Sequence, residues 1–237
     1  MNVKTEYAEK WKTSSEFFYS KDYYSWMLEP LADRHTILEV GCGCGYSTLS
    51  LLEAGHRVLA VDKNSECIDK AYSLTKEKGF ENEVVYLEMD ISQPGAADEL
   101  AQKFQFDAVV CWNMGSYYDM MEINDIYIPR MLKYGLSIEN IQSNLTSSYC
   151  EYITCIACKI ASEKGVPIQI VDRGEREVTA SNDVYFNRLG IEFGYKGIGY
   201  HNKAAESLSG EGVDLLKQGV IQKDAIVPIV FNMIILA

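Results

Sequence analysis

The chain has 237 residues, 47% hydrophobic and 24% charged, which suits one well-buried globular domain carrying at most a small insertion. Its 34 acidic residues outnumber 22 basic ones, giving a net charge of −12; this opposes a long nucleic-acid partner, whose phosphates are gripped mainly by Lys and Arg. No apolar run reaches the roughly 18 residues a membrane span needs, the opening MNVKTEYAEKWK is too polar for a signal peptide, and seven irregularly spaced cysteines suit thiols in a reducing, cytoplasmic setting.

Residues 7–26 are crowded with rings: Tyr7, Trp11, Phe17, Phe18, Tyr19, Tyr23, Tyr24 and Trp26. Two readings stay open for them, an amphipathic helix packed on the core or a lid over a ligand. Residues 37–48, ILEVGCGCGYST, then pass from an apolar run through Gly41, Gly43 and Gly45 to Ser47, an N-cap residue type. That pattern predicts a buried strand, a tight turn and a helix start. The GxGxG spacing differs from the GxGxxG turn that holds a pyrophosphate, and Glu39 just before it suits an ammonium better than a polyanion. A nicotinamide-dependent dehydrogenase is therefore the weaker reading.

The stretch from Glu39 to Gly45 resembles the first motif of class I S-adenosylmethionine-dependent methyltransferases. The resemblance has specific motifs over residues 36–111 and rests on the order of elements elsewhere. It implies an α/β, Rossmann-like, doubly wound, mostly parallel seven-stranded sheet with flanking helices. One domain would span residues 1–237, with residues 1–30 as an aromatic lid and 117–145 as an insertion over the pocket. It further implies that Glu39, Gly41, Cys42, Gly43 and Gly45 hold the methionine part of S-adenosylmethionine; it favours a lid role for the N-terminal rings without telling which point inward, and Tyr19 and Tyr24 are the candidates for acceptor contacts.

A short helix over residues 47–53, closed by Gly55, leads into a strand at 56–62. Asp62 falls 21 positions after Gly41, where a carboxylate holds ribose hydroxyls, and by resemblance Lys63 packs along the adenosine. Residues 65–78 read as a helix stopped by Gly79, and 84–87 as the third strand. In the resembled family the acid at the place of Asp90 accepts a hydrogen bond from the adenine amino group, and the residue at Ile91 packs on the ring. The fourth strand, 106–111, runs into WNMGSYYD; there the resemblance sets Cys111 and Trp112 against the donor and Asn113, Tyr117 and Tyr118 toward the acceptor. The chain lacks the Asn/Asp-Pro-Pro-aromatic stretch of exocyclic base-amine methylation and the Pro-Cys nucleophile used on cytosine carbon.

Residues 119–144, rich in Met and Tyr, fit either a cover over an apolar acceptor or an extra packed helix. A three-four rhythm from Ile138 predicts one long helix to Lys164, followed by a strand at 166–171. Cys155 and Cys158 form a CxxC inside that helix without a nearby histidine, so they read as buried thiols and no metal site is expected. The last third reads as a helix over 181–189, a strand over 194–201, a helical or lid segment over 203–218 and a closing strand over 226–236. His201 is the candidate general base.

The sequence thus predicts a cytoplasmic methyltransferase acting on a nitrogen or oxygen of a small-molecule acceptor, with no membrane contact and a homodimer allowed. Methylation of RNA or protein, and a donor-binding protein without activity, are the alternatives.

Overall fold

The computed structural model describes residues 3–115, 122–209, 216–217, 220–221 and 225–237. Two helices, α1 (Val3–Ser20) and α2 (Tyr23–Leu28), precede the first strand. Strands and helices then alternate: β1 (Thr36–Val40), α3 (Tyr46–Glu53), β2 (Arg57–Asp62), α4 (Ser65–Glu77), β3 (Val84–Glu88), α5 (Ala96–Lys103) and β4 (Ala108–Trp112). A π-helical turn at Ile123–Tyr127 and three helices follow, α6 (Ile128–Lys133), α7 (Ile138–Ser143) and α8 (Leu145–Lys164). The chain closes with β5 (Ile168–Gly174), α9 (Tyr185–Glu192), β6 (Ile198–Leu208) and β7 (Ile226–Leu236), with a small ribbon of Leu216–Lys217 and Val220–Ile221 between the last two.

The main sheet has seven strands in the order β3-β2-β1-β4-β5-β7-β6. The first five run parallel, and β7 lies antiparallel between β5 and β6. Strand order reverses between β1 and β4, which opens a crevice at their carboxyl ends, the place where open α/β sheets bind ligands. Both faces of the central strands are covered, which explains their continuous apolar runs. Leu38, Val109 and Ile170 pack toward α5 and α8, while Ile37, Val110 and Val171 pack toward α1 and α2. Full burial of each such side chain is worth about 1.5–3 kcal/mol. Among the described residues no helix is long and apolar enough to cross a membrane.

Several boundaries differ from expectation, and four of the differences have a clear local reason. Helix α3 starts at Tyr46 behind Gly45, so Ser47 is inside the helix and its hydroxyl is drawn to Glu39 instead of capping. The long helix breaks at Asn144, whose side chain caps α8 by accepting the Ser147 N–H at 3.0 Å. Helix α9 starts late because the Asp183 carboxylate accepts the N–H groups of Phe186 and Asn187 at 2.9 and 3.0 Å. Residues 203–208, expected to be helical, continue β6 and pair with β7 down to Leu208↔Ile226; the antiparallel ladder overrides their polar composition. Tyr117 and Tyr118 lie outside the described residues.

Candidate active site

The turn after β1 is shaped by its glycines. Gly43 has a φ of 52°, and a Cβ on it would collide with the Trp11 indole. A Cβ on Gly41, with a φ of 76°, would fall 3.0 Å from the Met114 methyl group. Both positions demand backbone that only glycine takes without strain, and both bring the main chain against a neighbouring group. Asp62 ties this turn to the end of β2, accepting N–H bonds from Gly43 at 3.0 Å and Asn64 at 2.9 Å. Burial pushes its carboxyl up, and those two N–H bonds oppose the shift.

Glu39 lies beneath the turn. It is 1% exposed and accepts hydrogen bonds from the hydroxyls of Ser47 and of Thr48, the latter at 2.6 Å. Burial pushes its carboxyl up to about 7, although both hydroxyls pull it down. Cys42, 2% exposed, is likewise packed into the core.

Above the turn, Gly41, Asp62, Lys63, Asp90 and Ile91 line one small cavity. Asp90 accepts hydrogen bonds from the Tyr127 hydroxyl at 3.0 Å and from Arg130 at 3.2 Å, and Arg130 also donates to Ser92 at 2.8 Å. The Lys63 ammonium donates to the Tyr127 hydroxyl at 3.0 Å and sits over the rings of Tyr127 (4.3 Å) and Tyr149 (4.7 Å). Burial lowers this lysine to about 8. Sequence reading missed Tyr127, Arg130 and Tyr149. Arg130 had a signal, as the single cation between residues 119 and 132.

The cavity is only about 50 Å³, room for a few waters at roughly 10–15 Å³ each and far too small for a nucleoside. The missing volume is taken by α1. Tyr7 and Trp11 stack at 6.5 Å, the indole lies on Gly43, and the Tyr7 hydroxyl reaches Gly115. The rings expected at the pocket lie elsewhere: Tyr19 bonds Glu53 at 3.0 Å, and Tyr24 stacks on Trp112 at 6.2 Å. Trp112 faces that side of the sheet too, donating to Gln169 at 3.3 Å.

At the tip of β4, Asn113 is 4% exposed and has a φ of 50°, unusual outside glycine. Its backbone N–H bonds Val171 at 2.7 Å, but among the described residues neither its amide oxygen nor its amide nitrogen has a partner. A strained backbone and an orphaned buried amide together mark a place built for something other than packing. Beside it a second cavity of about 410 Å³, bordered by Cys111, Cys150, Asp172 and Tyr185, shares Met114 with the first. Burial lifts the Cys111 thiol to about 12, so it is no nucleophile. His201 is exposed on the edge strand β6, in register with Met233, and borders neither cavity. Among the described residues no cluster of His, Cys, Asp and Glu could hold a metal ion.

Residues 37–132 match the family described as "Methyltransferase domain". The match covers less than half of the chain, and the sheet around it has the Rossmann-like fold of class I S-adenosylmethionine-dependent methyltransferases. Solved structures agree at the level of the fold. A SAM-dependent methyltransferase from Agrobacterium tumefaciens aligns with a TM-score of 0.52 and 10% identity, over 91% of this chain and 61% of that one. EvdMO1 gives 0.52 and 13%, over 91% of this chain and 40% of its own. A protein of echinomycin biosynthesis gives 0.50 and 11%, over 90% and 81%. The chain therefore spans less than two thirds of each of the first two. No curated protein matches it significantly.

The cofactor of the family is S-adenosylmethionine, and the residues present fit it chemically. A cradle closed to any Cβ at Gly41 and Gly43 and two carboxylates at successive strand ends offer contacts for an ammonium, a ribose and a base. The fit is complete only when Tyr7 and Trp11 leave the space they fill.

Proposed function

We propose that this methyltransferase moves a methyl group from S-adenosylmethionine to a nitrogen or oxygen of a small molecule where the two cavities meet. One observation carries the reading: Asp62, Asp90 and the Gly41 turn line one cavity at the carboxyl edge of the sheet, and Met114 joins it to a second, larger one. When bound, the donor supplies a methyl group on a positively charged sulfur. Asp62 would accept the ribose hydroxyls, Asp90 the adenine amino group, and Ile91 would pack on the ring. The main chain at Gly41 and Gly43 would face the methionine part, with Glu39 bracing the turn from below through Ser47 and Thr48.

In-line displacement needs little from the protein beyond placement, and correct placement can supply several kcal/mol of the barrier. The net charge of −12 and the confined second cavity favour a small molecule over RNA. Seven free thiols suit a cytoplasmic setting.

Calorimetry with S-adenosylmethionine and S-adenosylhomocysteine tests the donor half, and release of S-adenosylhomocysteine with separate metabolite, RNA and protein fractions of an extract tests the acceptor half. The expected outcome is donor binding that Asp62→Ala weakens by at least about tenfold, with turnover in the metabolite fraction. Absence of binding, or turnover with macromolecules alone, overturns the reading.

A further inference from the structure

We propose that the second cavity takes a small amine in its ammonium form, and that Asp172 receives the proton whose loss makes the nitrogen a nucleophile. The proposal rests on the methyl-transfer reading above and names the acceptor class for that site.

Asp172 lies near the carboxyl end of β5. Solvent reaches it through the cavity mouth, while protein surrounds it on its other sides. Its carboxylate accepts the N–H of Arg173 at 2.8 Å and feels the charge of that guanidinium, while no salt bridge within 4.0 Å holds it among the described residues. Arg173 also borders the cavity, but its guanidinium lies over Trp11 at 5.3 Å and Phe18 at 5.9 Å, toward α1. A second carboxylate, Glu151 of α8, borders the same space and meets only the exposed Arg188, at 3.4 Å. Two rings complete the wall, Tyr185 and Phe186, with centroids 4.9 Å apart and edge to face.

Two carboxylates and two aromatic faces around one space complement an ammonium. The anions give charge-assisted hydrogen bonds, and the rings attract a cation with their π faces. A carboxylate in that place would be repelled. A neutral alcohol would gain no charge-assisted bond from either anion.

Protein packed around the Asp172 carboxylate raises it above the usual range although the residue keeps a solvent-exposed face, and the Arg173 N–H and charge oppose the shift. Cys150 and Glu151 face it from α8, and Glu175 and Arg176 from the segment after β5. A more basic carboxylate is the better proton acceptor. In the step itself, an N–H bond of the ammonium breaks and its proton passes to the Asp172 oxygen, leaving the electron pair on nitrogen. That pair forms the N–C bond to the methyl group as the C–S bond breaks, and the electrons of that bond stay on the now neutral sulfur.

The test is calorimetry of 2-phenylethylamine against 2-phenylethanol and phenylacetate, with and without S-adenosylhomocysteine. The amine should bind at least about tenfold more tightly than either isostere, and more tightly as pH rises and Asp172 ionises. Asp172→Asn should remove about tenfold of that affinity and leave S-adenosylhomocysteine binding unchanged. Should that variant not fold, Glu151→Gln should still weaken the amine severalfold. Equal or stronger binding of an isostere, no heat from the amine up to about 20 mM, or an unchanged Asp172→Asn overturns the proposal. Because the amine is also measured alone, failure of S-adenosylhomocysteine to bind counts against the donor site separately.

Discussion

Glu39 lies beneath the glycine turn, bonded to Ser47 and Thr48, where the sequence offers it as a contact for the methionine part of the donor. An acid before a glycine turn is visible in the sequence, but its direction depends on Ser47 and Thr48, whose hydroxyls turn down to it and hold it under the turn. In sequence both look like ordinary helix-start residues. The consequence is measurable. In the unfolded chain this carboxyl titrates near its ordinary value of 4.5, and in the fold near 7. The folded state therefore holds an extra proton between those values, so the stabilisation is full below about pH 4 and is lost as pH rises through 7. Between pH 5 and pH 8 the protein should lose about 2.5 kcal/mol more stability than Glu39→Gln. Urea denaturation at both pH values measures the difference, and parallel slopes for the two proteins would refute it.

At the scale of elements, α1 decides whether the crevice is open. Tyr7, Trp11 and Phe18 lie on one stripe of that helix, with spacings of four and seven, whereas Tyr19 is one residue further round and meets Tyr46 of α3 at 5.6 Å. The aromatic crowding was legible without the phase, which is set by docking against the sheet, and this is why Tyr19 and Tyr24 seemed the pocket rings. Trp11 competes with any donor for the space over Gly43. Trp11→Ala should therefore bind S-adenosylmethionine about tenfold more tightly, since the closed arrangement no longer has to be undone. Calorimetry decides the sign; weaker binding would mean that the indole covers the ligand instead of excluding it. The cluster of Asp90, Tyr127 and Arg130 closes the other end of the crevice in the same manner, and its link across 37 to 40 residues had no local signature.

For the whole molecule, the alternation of strand and helix made the doubly wound sheet readable up to β5. The last third was harder because β6 is an edge strand of mixed burial, Ile198–Leu208, held by its ladder with β7 and not by an apolar pattern. That C-terminal pair is also what the first helices stand on. Phe231 of β7 is fully buried, with the rings of Phe18 and Tyr23 at 5.2 and 5.4 Å. Phe231→Ala should cost about 3–5 kcal/mol in denaturant unfolding. It should also loosen α1, raising amide hydrogen exchange there well above that in β1. A loss under about 1 kcal/mol would show the two ends of the chain to be independent.

The indole resting on the Gly-rich turn has one more consequence. Of the chain's three tryptophans, Trp112 is locked in the core against Tyr24, whereas Trp11 sits between a guanidinium and the crevice that a ligand would claim. Each uptake of nucleoside would move that one chromophore from a half-buried, cationic niche toward water. Its fluorescence is thus a native optical reporter of occupancy, and its red shift in a stopped-flow trace times the departure of the helix without any attached label.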